Sequence, residues 1–320
     1  MNFEQYLEPH IQPPTMIDCV LTVISHHDSL SNEVLATVKT FIEKTLGVES
    51  LKIATKQLST RAHDFLITIK DLDRSRDLVR SQCLKQEYDL ILQPVANRQN
   101  KKLFIFDMDS TLIYQEVIEL IAAYAGIEDK VAEITERAMN GELDFNESLK
   151  ERVQLLRGIN STTIWKELEQ KIEITNGVRP LAKALKKLGC ILGVCSGGFI
   201  PLAQHVKEQL GLDYAYANTL GVDEDNVLNG ETIGDIVNGE RKAELLLEIA
   251  NKHNIAPKDA VAIGDGANDL KMMSVAGFGI AWNAKPKVQL LAPACLNTKT
   301  LLDVLYIIGH TEEDIKLLIN

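Results

Sequence analysis

The sequence predicts an α/β protein in which a doubly wound parallel sheet carries a helical insertion and follows a smaller α+β unit. Three observations lead there. The runs KKLFIFDMD (101–109), CILGVCSGG (190–198), AVAIGDG (260–266) and FGIAW (278–282) are short and almost continuously apolar, and amphipathic stretches separate them. Such runs are parallel strands with both faces covered. Between the first two, residues from about 115 to 172 keep a helical periodicity far longer than one crossover helix needs, so they form a cap inserted over the sheet. The first hundred residues alternate short elements in the order βαββαβ.

In that first part, residues 16–25 (MIDCVLTVIS) read as a strand. Leu35, Val38, Phe41, Ile42 and Leu46 fall at helical spacing over 31–46, and Gly47 follows as a C-terminal cap. Residues 51–57 and 64–69 read as a strand pair, 73–84 as a helix and 87–94 as a closing strand. The order is that of a ferredoxin-like domain and resembles the ACT-type regulatory domains, which bind amino acids or dimerise. Those domains often carry a glycine in the first strand-to-helix loop. Here the loop is SHHDSL (25–30) and has none, so a packing or dimerising role, and a homodimer, are expected. His26 and His27 have no partner pattern and read as surface residues. The polar stretch VANRQNKK (95–102) marks the boundary, which gives an ACT-like domain over 1–97 and a second domain over 98–320.

Composition narrows the function. The chain has 320 residues, 45% of them apolar and 25% charged, with a formal net charge of −11. That length suits two domains. An acidic surface repels nucleic acid and anionic membranes, so neither is expected as a partner. It repels phosphate esters too, so any phosphate site needs a local cation. The five cysteines form no CxxC pair, which leaves neither a disulfide framework nor a zinc site. The first residues lack the apolar core of a signal peptide, and no apolar run approaches the ~18 residues of a membrane span. A cytoplasmic location is expected.

The chemistry gathers where three strands end. In an open parallel sheet, ligands bind beyond the carboxyl ends of the strands, which brings DMDST (107–111), SGG (196–198) and GDGANDL (264–270) to one crevice. Asp107 and Asp109, two apart on a strand end, share a side. Their carboxylates repel unless a cation sits between them, and magnesium prefers such hard oxygens, with Asp265 supplying a second carboxylate from the next strand end. An ionised aspartate there can attack phosphorus, and its neighbour can protonate the leaving alcohol and then deprotonate water. Ser196 and the glycines after it offer a hydroxyl and free backbone N–H groups to phosphate oxygens. Lys242 can add the positive charge that phosphoryl transfer requires, with Arg241 as a rival. Asp265 and Asp269 bracket a tight turn that also holds Asn268.

Taken together and in this order, these motifs resemble the haloacid dehalogenase superfamily of phosphatases over about 102–310. The segments DMDSTLIYQEVIELIA, AMNGELDFNESLKERVQLL, VCSGGF, LDYAYANTL and VAIGDGANDLKMM are similar to its phosphoserine phosphatase branch. The resemblance implies roles. Asp107 is the nucleophile and a magnesium ligand. Asp109 is the acid and base and binds the metal through its backbone carbonyl. Asp265 is the remaining protein ligand, with Asp269 supporting it. Ser196, Gly197, Lys242 and Asn268 hold the phosphate. In the cap, Glu116 meets the ammonium and Arg152 the carboxylate of O-phosphoserine, and Met139 and Phe145 close an apolar lid. A related small-molecule phosphatase or phosphotransferase, and an amino-acid sensor without turnover, are the competing readings.

Overall fold

The computed structural model describes residues 16–83 and 86–320. The first sheet contains β1 (Ile17–Ser25), β2 (Ala54–Gln57), β3 (Ala62–Ile69) and β4 (Tyr88–Pro94), with α1 (Asn32–Lys44) and α2 (Leu72–Cys83) on one face. Its order β2-β3-β1-β4 and its antiparallel registers are those expected of βαββαβ. Ser31 caps α1 by accepting from the Val34 amide at 3.1 Å. Cys19, Leu21 and Val23 of β1 pack under the two helices with Val38, Phe41 and Ile42.

The opposite face of this sheet is covered by the rest of the same chain. Ile24, Leu58, Ala62 and Ile91 join the core of the larger sheet. A buried ion pair crosses the seam: Arg98 donates to both Asp64 oxygens at 2.5 and 2.9 Å and to the Tyr306 and Ile307 carbonyls. Arg61 pairs with Asp303 at 2.7 Å. The stretch 95–102, read as a polar boundary, opens with the helical turn α3 (Val95–Arg98), which carries Arg98 inward. Burying a guanidinium needs this full set of acceptors. His26, read as a surface residue, is partly buried, with Nε2 3.1 Å from Asp89.

The second sheet has β5 (Leu103–Phe106), β6 (Ile191–Phe199), β7 (Tyr214–Val222), β8 (Leu228–Ile233), β9 (Ala260–Gly264), β10 (Phe278–Trp282) and β11 (Ala294–Leu296) in the order β11-β10-β9-β5-β6-β7-β8. All pairs are parallel except β7–β8, an antiparallel edge. Every residue of β5 is buried, as a central parallel strand requires. Helices α8 (Val178–Lys187), α9 (Ile200–Leu210), α10 (Gly239–Lys252), α11 (Leu270–Val275), α12 (Pro286–Leu291), α13 (Val304–Ile307) and α14 (Glu312–Ile319) surround it, and the insertion is α4 (Val117–Ala125), α5 (Glu128–Met139), α6 (Phe145–Gln154) and α7 (Ser161–Glu169). An Asp144–Glu147 capping box starts α6. Among the described residues no helix is long and apolar enough to cross a membrane.

Candidate active site

β5 lies between β9 and β6, so Asp107, Asp265 and Ser196 emerge side by side at the carboxyl edge. The Asp107 amide donates to the Ile263 carbonyl at 2.8 Å and ties the first turn to β9. Beyond Asp107 the backbone makes a wide turn closed by the Ile113 amide on the Met108 carbonyl at 3.1 Å. Ser110 takes a left-handed φ of 54°, a conformation costly for a residue with a Cβ and common at functional turns. Its hydroxyl donates to Glu116 at 2.7 Å, which orients that carboxylate at the start of α4. No sequence motif singles out this role of Ser110. The polar run after an apolar strand was its one visible signal.

Lys242, one turn into α10, is fully buried. Its ammonium donates to Asp107 and, at 2.7 Å, to Asp269. Burial opposes its charge, but the two carboxylates outweigh burial and raise its pKa. Arg241 turns outward to Glu248 and Glu244, so Lys242 is the cation of the site. The other Asp269 oxygen accepts from the Gly266 amide at 3.0 Å. A Cβ on Gly264 would collide with the Asp269 carboxylate, so only glycine lets that side chain fold under the strand end.

The site holds more negative charge than it can balance. Asp107 and Asp269 share the one buried ammonium, with the Asp265 carboxylate beside them. Burial, then Asp269, raises Asp107 well above the carboxylate range, against the pull of Lys242. Burial, then Asp269 and Glu116, lifts Asp265 to about 7. One oxygen from each of Asp107, Asp265 and Asp269 lies within 4.8 Å of the others. Both Asp269 oxygens already have donors, whereas Asp107 gives only Oδ1 to Lys242 and Asp265 only Oδ1 to the Thr111 hydroxyl at 3.4 Å, which leaves one oxygen of each to face an incoming cation. A hard divalent ion fits this donor set and supplies the missing charge.

Asp109 differs from its neighbours. Its Oδ2 accepts from the Val117 amide at 2.9 Å, while its Oδ1 is buried without a partner among the described residues. Burial, then Glu116, lifts its pKa to about 8, a shift that favours the protonated carboxyl a leaving alcohol needs. Gly198 donates to the Ser196 hydroxyl at 2.9 Å, and Asn218 holds the Gly197 carbonyl at 2.8 Å.

The insertion closes the other side. A cleft of about 1330 Å³ is lined by Asp107, Asp109, Ser196, Gly197, Asp265 and Asn268 below, and by Glu116, Phe145 and Arg152 above. The Phe145 ring packs so closely on Gly197 that a Cβ there would stand 2.9 Å from it. Arg152 Nε is buried with no partner among the described residues, and burial lowers its pKa. Met139 ends α5, and its side chain lies outside the described residues.

An aspartate at a central strand end, with a buried lysine, two further carboxylates and a helical cap, defines a phosphoryl-transferring hydrolase of the doubly wound class. The haloacid dehalogenase-like hydrolase family matches residues 101–277, and the chain belongs to it. A solved haloacid dehalogenase family hydrolase from Salmonella enterica serovar Typhi superposes with a TM-score of 0.77 at 27% identity, covering 91% of this chain and 98% of that one. Within the family the chain falls among the phosphoserine phosphatases. It is 50% identical to phosphoserine phosphatase of Saccharomyces cerevisiae over 92% of this chain and 97% of that protein. A solved phospho-aspartyl intermediate analogue of phosphoserine phosphatase matches with a TM-score of 0.60 and 40% identity over 65% of this chain and 99% of that one.

Proposed function

We propose that the chain hydrolyses O-phosphoserine to serine and phosphate, the last step of serine biosynthesis, in two displacements through Asp107. The observation that carries this reading is Asp107 at the end of β5, gripped by Lys242 and faced across one cleft by Glu116 and Arg152. A zwitterionic amino acid ester needs one anion and one cation beyond its phosphate, and the cap offers both. Arg152, buried and unpartnered, would receive the carboxylate, and Glu116 the ammonium. Phe145 and Met139 would shut the lid and exclude water. Ser196, Gly197, Lys242 and Asn268 would hold the phosphoryl oxygens.

In the first step an Asp107 oxygen attacks phosphorus while the bond from phosphorus to the serine oxygen breaks. Asp109 gives its proton to that oxygen, and serine leaves. In the second step Asp109, now ionised, takes a proton from water. The water oxygen attacks phosphorus, the bond to Asp107 breaks, and phosphate leaves. Asp107 and Asp265, with the Asp109 carbonyl, would hold Mg²⁺, and Asp269 would support them. Bound there, the ion keeps Asp107 ionised and offsets charge on the transferring group. Residues 98–320, with a cap near 115–172, would form the catalytic domain of a cytoplasmic homodimer. The ACT-like domain over 1–97, of which 1–15 and 84–85 lie outside the described residues, would regulate or dimerise.

A phosphate-release assay with and without magnesium, across phosphoserine, phosphothreonine, phosphoethanolamine and sugar phosphates, tests the proposal. Fast release confined to phosphoserine with magnesium is expected. Equal turnover of phosphoethanolamine would remove Arg152 from substrate binding.

A further inference from the structure

A second cavity, of about 250 Å³, opens at the seam between the two sheets, remote from Asp107. Its walls come from α2 and β4 on one side and from α12 and β11 on the other. Leu90 and Leu92 supply an apolar floor, the half-exposed Leu290 stands at the mouth, and two guanidinium groups, Arg76 and Arg80, line the wall beside them. Arg80 is satisfied by the Ala292 carbonyl at 2.9 Å and by Asp77. Among the described residues Arg76 is not. Its Nε reaches the Leu92 carbonyl only at 3.5 Å, and the nearest described carboxylate, on the almost fully exposed Asp73, stands 3.9 Å away. Burial holds the Arg76 guanidinium below its ordinary pKa; Asp73 offsets part of this, and the charge of Arg80 adds to it. Asp89, buried behind the lining residue His26, is already occupied by the Asn297 amide and side chain at 2.6 and 2.9 Å.

We propose that this seam cavity binds a small monocarboxylate with a short branched aliphatic body, and that the occupant tunes the catalytic cleft through α12. The carboxylate would pair with the planar fork of Arg76 through two parallel N–H groups, with the Arg80 charge beside it. The aliphatic body would cover the three leucines. The cavity holds the volume of about eight liquid waters, which suits a molecule of about seven heavy atoms. The coupling element is short. Lys285, Pro286, Lys287 and Val288 line the catalytic cleft, and Gln289 and Leu290, the next two residues, line the seam cavity. A ligand that shifts one end of a one-and-a-half-turn helix shifts the other, so both lysines at the cleft mouth move with it.

Calorimetric titration of the full chain with isovalerate tests the proposal, with isovaleramide as the uncharged control. One saturable site per chain is expected, with no binding of the amide. Arg76→Gln should weaken isovalerate binding roughly tenfold or more, the scale of one lost charge-assisted hydrogen bond. Leu290→Trp, which fills the cavity from its solvent side, should block binding, and it carries the test if the first variant does not fold. Binding should persist in Arg152→Ala, and saturating isovalerate should change the KM for phosphoserine roughly fivefold in the wild type. Absence of saturable binding, binding unchanged in the Arg76 and Leu290 variants, or binding lost in the Arg152 variant overturns the site. Full occupancy with an unchanged KM overturns the coupling through α12.

Discussion

Replacing Asp265 by asparagine should make the metal-free protein more stable while destroying its activity. Burial and the neighbouring carboxylates lift Asp265 from 3.8 to about 7. At about 1.4 kcal/mol per pH unit, ionising it in the folded state costs up to about 4 kcal/mol, and solvent reaching a partly exposed carboxylate reduces this to about 2–4. The sign follows from the direction of the shift. A raised carboxylate pKa leaves the fold unpenalised below about pH 4, and stability drains away as pH rises through about 7. Melting curves in EDTA should therefore converge at pH 4 for the two proteins. At pH 8 the asparagine variant should melt several degrees higher, at roughly 2 °C per kcal/mol for a chain of this size. Magnesium should raise the wild-type melting temperature most at pH 8 and the variant's much less. A variant no more stable than wild type at pH 8 without metal would refute the claim that the site stores uncompensated negative charge.

Other outcomes follow from the same geometry. Arg152→Ala should lower kcat/KM for phosphoserine by roughly 30–100-fold, the loss of a charged hydrogen bond in a dry site, and leave phosphoethanolamine turnover nearly unchanged in steady-state assays. Asp109→Asn should slow turnover by roughly 10²–10⁴-fold in steady-state assays, because the leaving-group acid and the water-activating base are lost together. Arg98→Met strands the buried Asp64 charge and should cost about 3–5 kcal/mol by chemical denaturation, and a second change, Asp64→Leu, should recover most of it.

The strand ends were legible because parallel strands buried on both faces leave long apolar runs, and the acids that follow them have no structural reason to be there. LFIF before Asp107 and AVAIG before Asp265 are such runs. The cap helices were legible from their period. The β7–β8 edge was not, since its half-polar residues resemble a loop, and its role comes from pairing beside β6. Sequence could not tell which charges are neutralised. Lys242 and Arg241 are adjacent and alike, and only the helix phase turns one to Asp107 and the other to Glu248. Nor could it reveal that the first sheet lays its open face on its own chain, because on that face β1 alternates Asp18, Val20, Thr22 and Ile24, a half-polar pattern that suits solvent as well as a polar seam. Arg98 in a polar run and His26 in a loop looked solvated, and long-range acceptors bring both inward.

Asp107 is expected to carry the phosphoryl group during turnover. Rapid quench with phosphorus-labelled phosphoserine, followed by peptide mapping, tests it most directly. Label should appear on the peptide holding Asp107, be released by hydroxylamine as an acyl phosphate is, and be absent from Asp107→Asn. Wild-type turnover at full rate with no label on that peptide at any quench time would show that water attacks phosphorus directly, and the account would be wrong.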